Sequence, residues 1–171
     1  MNGKTVILGL DPAIRTTGYG VLCLSGKSFE VLDCGVVENH RNLPHSQCLR
    51  RLYGGVKQLC ELYHPDCAVL EAPFVGRNAG TAIILGMARG SILSALVNCE
   101  IPAFSYSPSA AKRAAFGNGK AGKQQIACLL SAELQIDVAN IPLDSTDALA
   151  LAICHAQKLL HPEFELEPEL L

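Results

Sequence analysis

The sequence contains no C-x-x-C pair, although eight of its 171 residues are cysteine. The thiols, at positions 23, 34, 48, 60, 67, 99, 128 and 154, fall mostly at apolar positions of expected strands and helices. Without clustered Cys/His pairs nothing argues for structural zinc, and without a short, loop-rich, secreted chain nothing argues for a disulfide framework. Buried thiols in a reducing compartment are expected. Also missing at the start is a basic segment followed by an apolar stretch and a cleavage site. The longest nearly uncharged helical run, Asn78 to Met87, meets Arg89 well short of the about 20 residues that a bilayer demands. Neither secretion nor membrane insertion is expected, and the cytoplasm is the expected location. Repeats and linker-like composition are absent from residues 1–160, and at 49% hydrophobic the chain can bury a core of its own, so residues 1–160 read as one domain.

Acid is scarce in the middle of the chain. Between Ala72 and Ala132 a single acid, Glu100, faces Arg77, Arg89, Lys112, Arg113, Lys120 and Lys123. That segment carries +5 within an overall −2, which leaves −7 for the remainder. The total argues against a nucleic-acid partner, but the segregation argues for a basic face suited to phosphates; patchiness of a solvated surface is the plainer alternative.

Thr5 to Leu10, Gly18 to Leu24 and Phe29 to Val37 are rich in β-branched and aliphatic residues around short polar turns, the pattern of a three-strand antiparallel meander. Cys48, Leu52, Val56, Leu59 and Tyr63 recur at helical spacing, so Ser46 to Tyr63 is expected as an amphipathic helix closed by "HPD". Two short apolar runs, Cys67 to Leu70 and Ile101 to Tyr106, each follow a helix, as parallel strands do. The helix between them, Ala79 to Asn98, is apolar over more of its circumference than one core-facing stripe needs and should be covered on two sides, by a loop or by a partner subunit. Gly86 and Gly90 would admit a second helix closely. Pro108 to Phe116, Gly122 to Leu134 and Ser145 to Leu160 complete the helices, and residues 161–171 form an acidic tail expected to be disordered. The expected fold is α/β, with a five-stranded mixed sheet of meander plus two parallel strands, flanked by helices.

Four carboxylates stand at the ends of these elements. Asp11 ends the first strand, Glu71 ends the fourth, and Asp144 and Asp147 open the last helix in "PLDSTDALALAICHA". Each has a plain explanation: an Asx turn for Asp11 before Pro12, a surface strand end for Glu71, and an N-cap with an acid three residues on for Asp144 and Asp147. Strand ends in an α/β sheet face a common crevice, however, and four repelling carboxylates there are tolerable only with cations between them. Oxygen ligands without thiolate or imidazole select Mg²⁺ or Mn²⁺ over zinc. Two such ions can hold a phosphodiester, activate water and stabilise the leaving oxygen, which is chemistry that needs no nucleophilic side chain. No Ser/His/Asp or Cys/His signature competes, and His155, two turns beyond Asp147, reads as a packed histidine.

"LGLDPAIRTTGYGV", "LEAPFVGRNAGTAIILGMARG", "KRAAFGNGKAGKQQI" and "LDSTDALALAICHA" resemble, in order and up to about residue 158, the signature regions of the RuvC Holliday junction resolvases. The resemblance implies a ribonuclease-H-like fold and a homodimer. It further implies Mg²⁺-dependent symmetric nicking of four-way DNA junctions in recombination and repair, alongside RuvA and RuvB. It assigns Asp11, Glu71, Asp144 and Asp147 as ligands of two Mg²⁺ ions, with Mn²⁺ as a substitute and Asp11 touching both. It matches Phe74 to an aromatic that stacks on a base near the junction centre, and Lys112 and Lys123 to phosphate-holding residues; Lys120, Arg77 and Arg113 are weaker additions. Ala13-Ile14 replaces the usual glycine after "DP" and is expected to alter the loop without removing a ligand. Two rivals remain. An actin-like or sugar-kinase-like phosphotransferase shares the first motif but needs a second domain and an adenosine site, for which 171 residues leave no room. A non-catalytic junction-binding module would have lost the acids.

Overall fold

The computed structural model describes residues 3–73, 78–107, 141–163 and 168–171. At its centre is β1 (Lys4–Asp11), whose inner residues are buried on both faces: Ile7, Leu8 and Leu10 expose no more than 1%. Only a strand flanked on both edges and covered on both faces can bury successive side chains in this way. On one edge β1 pairs antiparallel with β2 (Thr16–Ser25), which pairs with β3 (Ser28–Glu38) to complete the meander. On the other edge β1 pairs in parallel with β4 (Cys67–Glu71), and β4 pairs in parallel with β5 (Ala103–Tyr106).

Helix α1 (His45–Tyr63) precedes β4, and α2 (Ala79–Asn98) precedes β5. The left-handed His64 (φ 46°) stops α1 by donating its N–H to the Cys60 carbonyl, before Pro65 bars continuation. Asn78 caps α2, its Oδ1 accepting from the N–H groups of Gly80 and Thr81. The last helix, α3 (Leu143–Leu160), buries nearly every side chain from Ser145 to Ala156.

The sheet separates two cores. Ile7, Leu22, Leu24, Cys67, Val69 and Tyr106 face α3, whereas Leu8, Leu10, Val21, Ala68, Leu70 and Ala103 face α1 and α2. All seven described cysteines are free thiols, five of them buried, as expected; Cys128 lies outside the described residues.

One expectation is corrected. The sheet has six strands, not five, because residues 168–171 of the tail are not a disordered end: β6 (Glu169–Leu170) pairs antiparallel with β5, and the Leu171 N–H donates to the Ala103 carbonyl at 2.9 Å. Composition could not reveal this, because the bonding partner is a backbone edge that accepts a strand of almost any sequence. Helix α2 packs one face against α1 and the sheet. Ala88, Ile92, Ala95 and Leu96 are buried, while Ile83, Met87 and Val97 expose 65%, 40% and 72%. By length and composition alone α2 is apolar enough to cross a membrane. The helices expected at Pro108–Phe116 and Gly122–Leu134 lie outside the described residues.

Candidate active site

Side chains alternate across a strand, so the sidedness of the sheet places the acids. In β1, Ile7 faces α3 while Leu8 and Leu10 face away, which turns Gly9 and Asp11 toward α3. In β4, Cys67 and Val69 face α3 while Ala68 and Leu70 face away, which turns Glu71 the same way. Leu10 and Leu70 are register partners in neighbouring parallel strands. Asp11 and Glu71, each one residue further on, are therefore level with each other at the same sheet end, on strands about 4.8 Å apart.

Helix α3, whose first turns carry Asp144 and Asp147, lies on this face. It crosses β1 and β2 over a track of glycines: a Cβ on Gly9 would overlap the Ala148 carbonyl, and one on Gly18 the Asp144 carbonyl. Gly18 is the cross-strand partner of Asp11, so the start of α3 rests beside the first acid. The Ser145 hydroxyl, fully buried, donates to the Gly35 carbonyl at 2.8 Å and ties the helix to β3. The helix begins two residues earlier than the sequence suggests, with Pro142 as its N-cap and no side-chain cap. Asp144 is thus inside the first turn and does not cap, which removes its plainest structural explanation. All four acids are half-buried, neither sealed in a core nor freely solvated.

Among the described residues no three His, Cys, Asp or Glu side chains converge tightly enough to hold a metal ion as they stand. Four carboxylates sharing one sheet end repel each other, which favours rotamers that keep their oxygens apart. Backbone placement and donor chemistry, all carboxylate oxygen, nevertheless fit a hard divalent cation.

The loop after Asp11 is held from three sides. The Thr17 hydroxyl donates to the Ala13 carbonyl at 2.6 Å and accepts from the Ala13 N–H at 3.2 Å. Asn39, almost fully buried, donates its side-chain amide to the Ile14 carbonyl at 2.8 Å and its backbone N–H to the Arg15 carbonyl at 2.7 Å. The Arg15 guanidinium in turn donates to the carbonyls of His40 and Leu43 at 2.9 and 3.0 Å. Neither Ala13 nor Ile14 has a positive φ, so the residues that replace glycine sit without backbone strain. Thr17, Asn39 and Arg15 were not singled out from the sequence, where a polar residue beside a loop looks like any other. The glycines did leave a signal, since Gly18 and Gly20 two apart in a strand mark a face cleared for another backbone.

His155 is packed, as expected. It exposes 4%, its Nδ1 lies 3.0 Å from the Tyr106 hydroxyl, and it stacks on Phe104 at 4.8 Å between ring centroids. Burial pushes its pKa down to about 4, which keeps it neutral near pH 7. Phe74, Arg77, Lys112, Arg113, Lys120 and Lys123 lie outside the described residues.

Residues 7–155 match the family described as Crossover junction endodeoxyribonuclease RuvC. The chain belongs to the RuvC family. It is 38% identical to the crossover junction endodeoxyribonuclease RuvC of Protochlamydia amoebophila over 157 residues, covering 92% of this chain and 94% of that relative. The RuvC of Desulforamulus reducens is 40% identical over 152 residues, covering 89% and 93%. Thermus thermophilus RuvC, solved in complex with a Holliday junction substrate, superposes with a TM-score of 0.87 at 28% identity, over 96% of this chain and 99% of that one. The fold is therefore ribonuclease-H-like, and RuvC membership implies use of a divalent metal.

Proposed function

We propose that the protein is a metal-dependent endodeoxyribonuclease that resolves four-way DNA junctions by paired, symmetric nicks, acting in recombination and repair. One observation supports the reading: in a chain of the RuvC family, Asp11 and Glu71 end neighbouring parallel strands on the face covered by α3, the helix whose start carries Asp144 and Asp147 and lies beside Gly18, the cross-strand partner of Asp11. These four hold two Mg²⁺ ions, for which Mn²⁺ substitutes. The ions supply an activated water and stabilisation of the leaving oxygen. The chain's own part is to hold the four carboxylates at fixed spacing: β1 and β4 through their shared register, and α3 through its seat on Gly9 and Gly18. No side chain attacks the phosphodiester, and His155, neutral and occupied by Tyr106, takes no proton in the reaction.

DNA is held by the basic middle segment. Phe74, three residues beyond Glu71 in the chain, stacks on a base; Lys112 and Lys123 hold phosphates, with Lys120 and Arg77 in support. Two copies pair through α2, whose exposed residues Ile83, Met87, Gly90, Ser94 and Val97 form one helical stripe. The two-fold axis sets identical sites against two strands of like polarity. The dimer works in the cytoplasm with RuvA and RuvB, and residues 1–160 are the nuclease domain.

The test is a mobile four-way junction and a linear duplex, each incubated with and without Mg²⁺. Cutting is expected on the junction with Mg²⁺ alone, and Asp11→Asn is expected to abolish it while junction binding persists. A protein that retards the junction but leaves its strands whole under every condition is a binding module, and the nuclease reading fails.

A further inference from the structure

On the opposite face of the sheet from the four acids, α2 sends one charged side chain into the core. Arg89 exposes 8% and is the only charged residue among the buried positions described, apart from His155, which is neutral. Its guanidinium is bonded at the edge of the acid site: Nη1 donates to the backbone carbonyl of Glu71, and Nη2 donates to the Ser105 hydroxyl at 3.2 Å. Ser105 is the register partner of Glu169 in β6. Cross-strand partners project from the same face, so the tail carboxylate lies on the side from which Arg89 enters.

We propose that Arg89 is the positioning residue for Glu71, and that the C-terminal strand supports the active site because it sets Glu169 opposite Ser105, on the side of the sheet from which Arg89 enters. The inference rests on the proposed metal-dependent nuclease. Glu71 is the last residue of β4, where the β1–β4 ladder has already ended at Leu10 and Leu70. Its backbone is held in two ways, by the neighbouring strand β5 and by α2. The neighbouring Ala72 N–H donates to the Tyr106 carbonyl at 2.7 Å, and Arg89 grips the Glu71 carbonyl from the α2 side. With the backbone of Glu71 fixed, strand alternation turns its side chain toward the α3 face.

A buried guanidinium needs negative charge nearby. Lysine would keep the charge but not the planar fork that reaches a carbonyl and a hydroxyl together. The same arrangement accounts for an acidic residue in a strand too short to contribute much pairing energy by itself.

The experiment compares the wild-type protein with Arg89→Lys, Glu169→Gln and a chain ended after Glu163. Three quantities are read: the Mg²⁺ concentration that half-saturates junction cutting, the Mg²⁺-induced rise in melting temperature without DNA, and junction affinity in EDTA. Groups that hold a metal ligand in place typically change metal affinity by 10–100-fold, so Arg89→Lys is expected to raise half-saturating Mg²⁺ by about 10-fold and to shrink the Mg²⁺-induced stabilisation. Junction affinity in EDTA should stay at the wild-type value. Glu169→Gln and the shortened chain should move the Mg²⁺ requirement in the same direction by roughly 2–5-fold, since Glu169 acts through Arg89 from an exposed position. A folded Arg89→Lys variant with a wild-type Mg²⁺ requirement overturns the proposal. Should that variant not fold, wild-type Mg²⁺ behaviour in Glu169→Gln overturns it equally. A wild-type protein that cuts no junction refutes the nuclease reading instead, and the melting measurement then decides whether Arg89 tunes a metal site at all.

Discussion

Replacing Gly18 by alanine tests the architecture of the site with one methyl group. The added Cβ would fall inside the Asp144 carbonyl, and the next atom out, the Ser145 nitrogen, would be only 3.0 Å away. Comfortable contact needs about 3.5 Å or more, and every obstructing atom is backbone, so no side chain can swing aside. The start of α3 must withdraw by about 1.5 Å, from 2.0 Å to the about 3.5 Å that contact needs, and Asp144 and Asp147 must withdraw with it. Overpacking of this kind costs about 1–3 kcal/mol, partly offset by roughly 0.5–1 kcal/mol from restricting the unfolded chain. A misplacement near 1 Å costs about 100-fold in rate. Gly18→Ala is therefore expected to remain folded at 25 °C, to melt several degrees lower, and to cut a four-way junction about 100-fold more slowly in single-turnover assays. Junction binding, which does not use α3, should persist. The matched control is Gly54→Ala in α1, where nothing lies within 4 Å of the new atom; it should stabilise the helix by about 0.5–1 kcal/mol and leave cutting alone. If Gly18→Ala cuts at the wild-type rate with an unchanged melting temperature, then α3 is not seated as described and the route by which Asp144 reaches Asp11 is wrong.

Other outcomes follow from the same contacts. His155 is held neutral, with its folded pKa pushed down to about 4 from an unfolded value near 6.5, so its contribution is complete above about pH 6.5 and is lost as pH falls toward 4. The loss approaches about 3 kcal/mol, and chemical denaturation across that range should show a flatter acid limb in His155→Gln. Met87→Lys, on the exposed stripe of α2, should shift the protein from dimer to monomer in sedimentation equilibrium with little change in melting of the monomer; a variant that stays dimeric would place the interface elsewhere. Asn39→Ala removes the side-chain amide that holds the Ile14 carbonyl but keeps the backbone N–H bonded to Arg15, and should cost about 1–3 kcal/mol while slowing cutting more than it weakens junction binding, as measured by rate against affinity.

Much of the fold was legible along the chain because it is local in origin. Alternating β-branched runs around "SGKS" specify the meander, and the helical spacing of Cys48, Leu52, Val56 and Leu59 specifies α1. The four acids stood out because carboxylates at element ends are costly without a partner. The tail strand was not legible, since nothing in "ELEPELL" announces that β5 will leave an edge open to it. Arg89 was counted only as one cation in a basic segment. Its guanidinium is buried because α2 presents that position to the sheet, and in a helix apolar around most of its circumference no periodicity marks the buried face.

The sequence by itself determined which elements form, which residues carry negative oxygen, and that the positive charge gathers in a separate segment. Only the tertiary structure decided that Asp11 and Glu71 share a face, since that depends on parallel register between strands some sixty residues apart in the chain. It likewise decided that Asp144 reaches them, through a close approach that three bare glycine positions permit and any side chain there would block. Chemistry belongs to residues one at a time, whereas a site is a set of distances, and those are fixed only when distant segments pack.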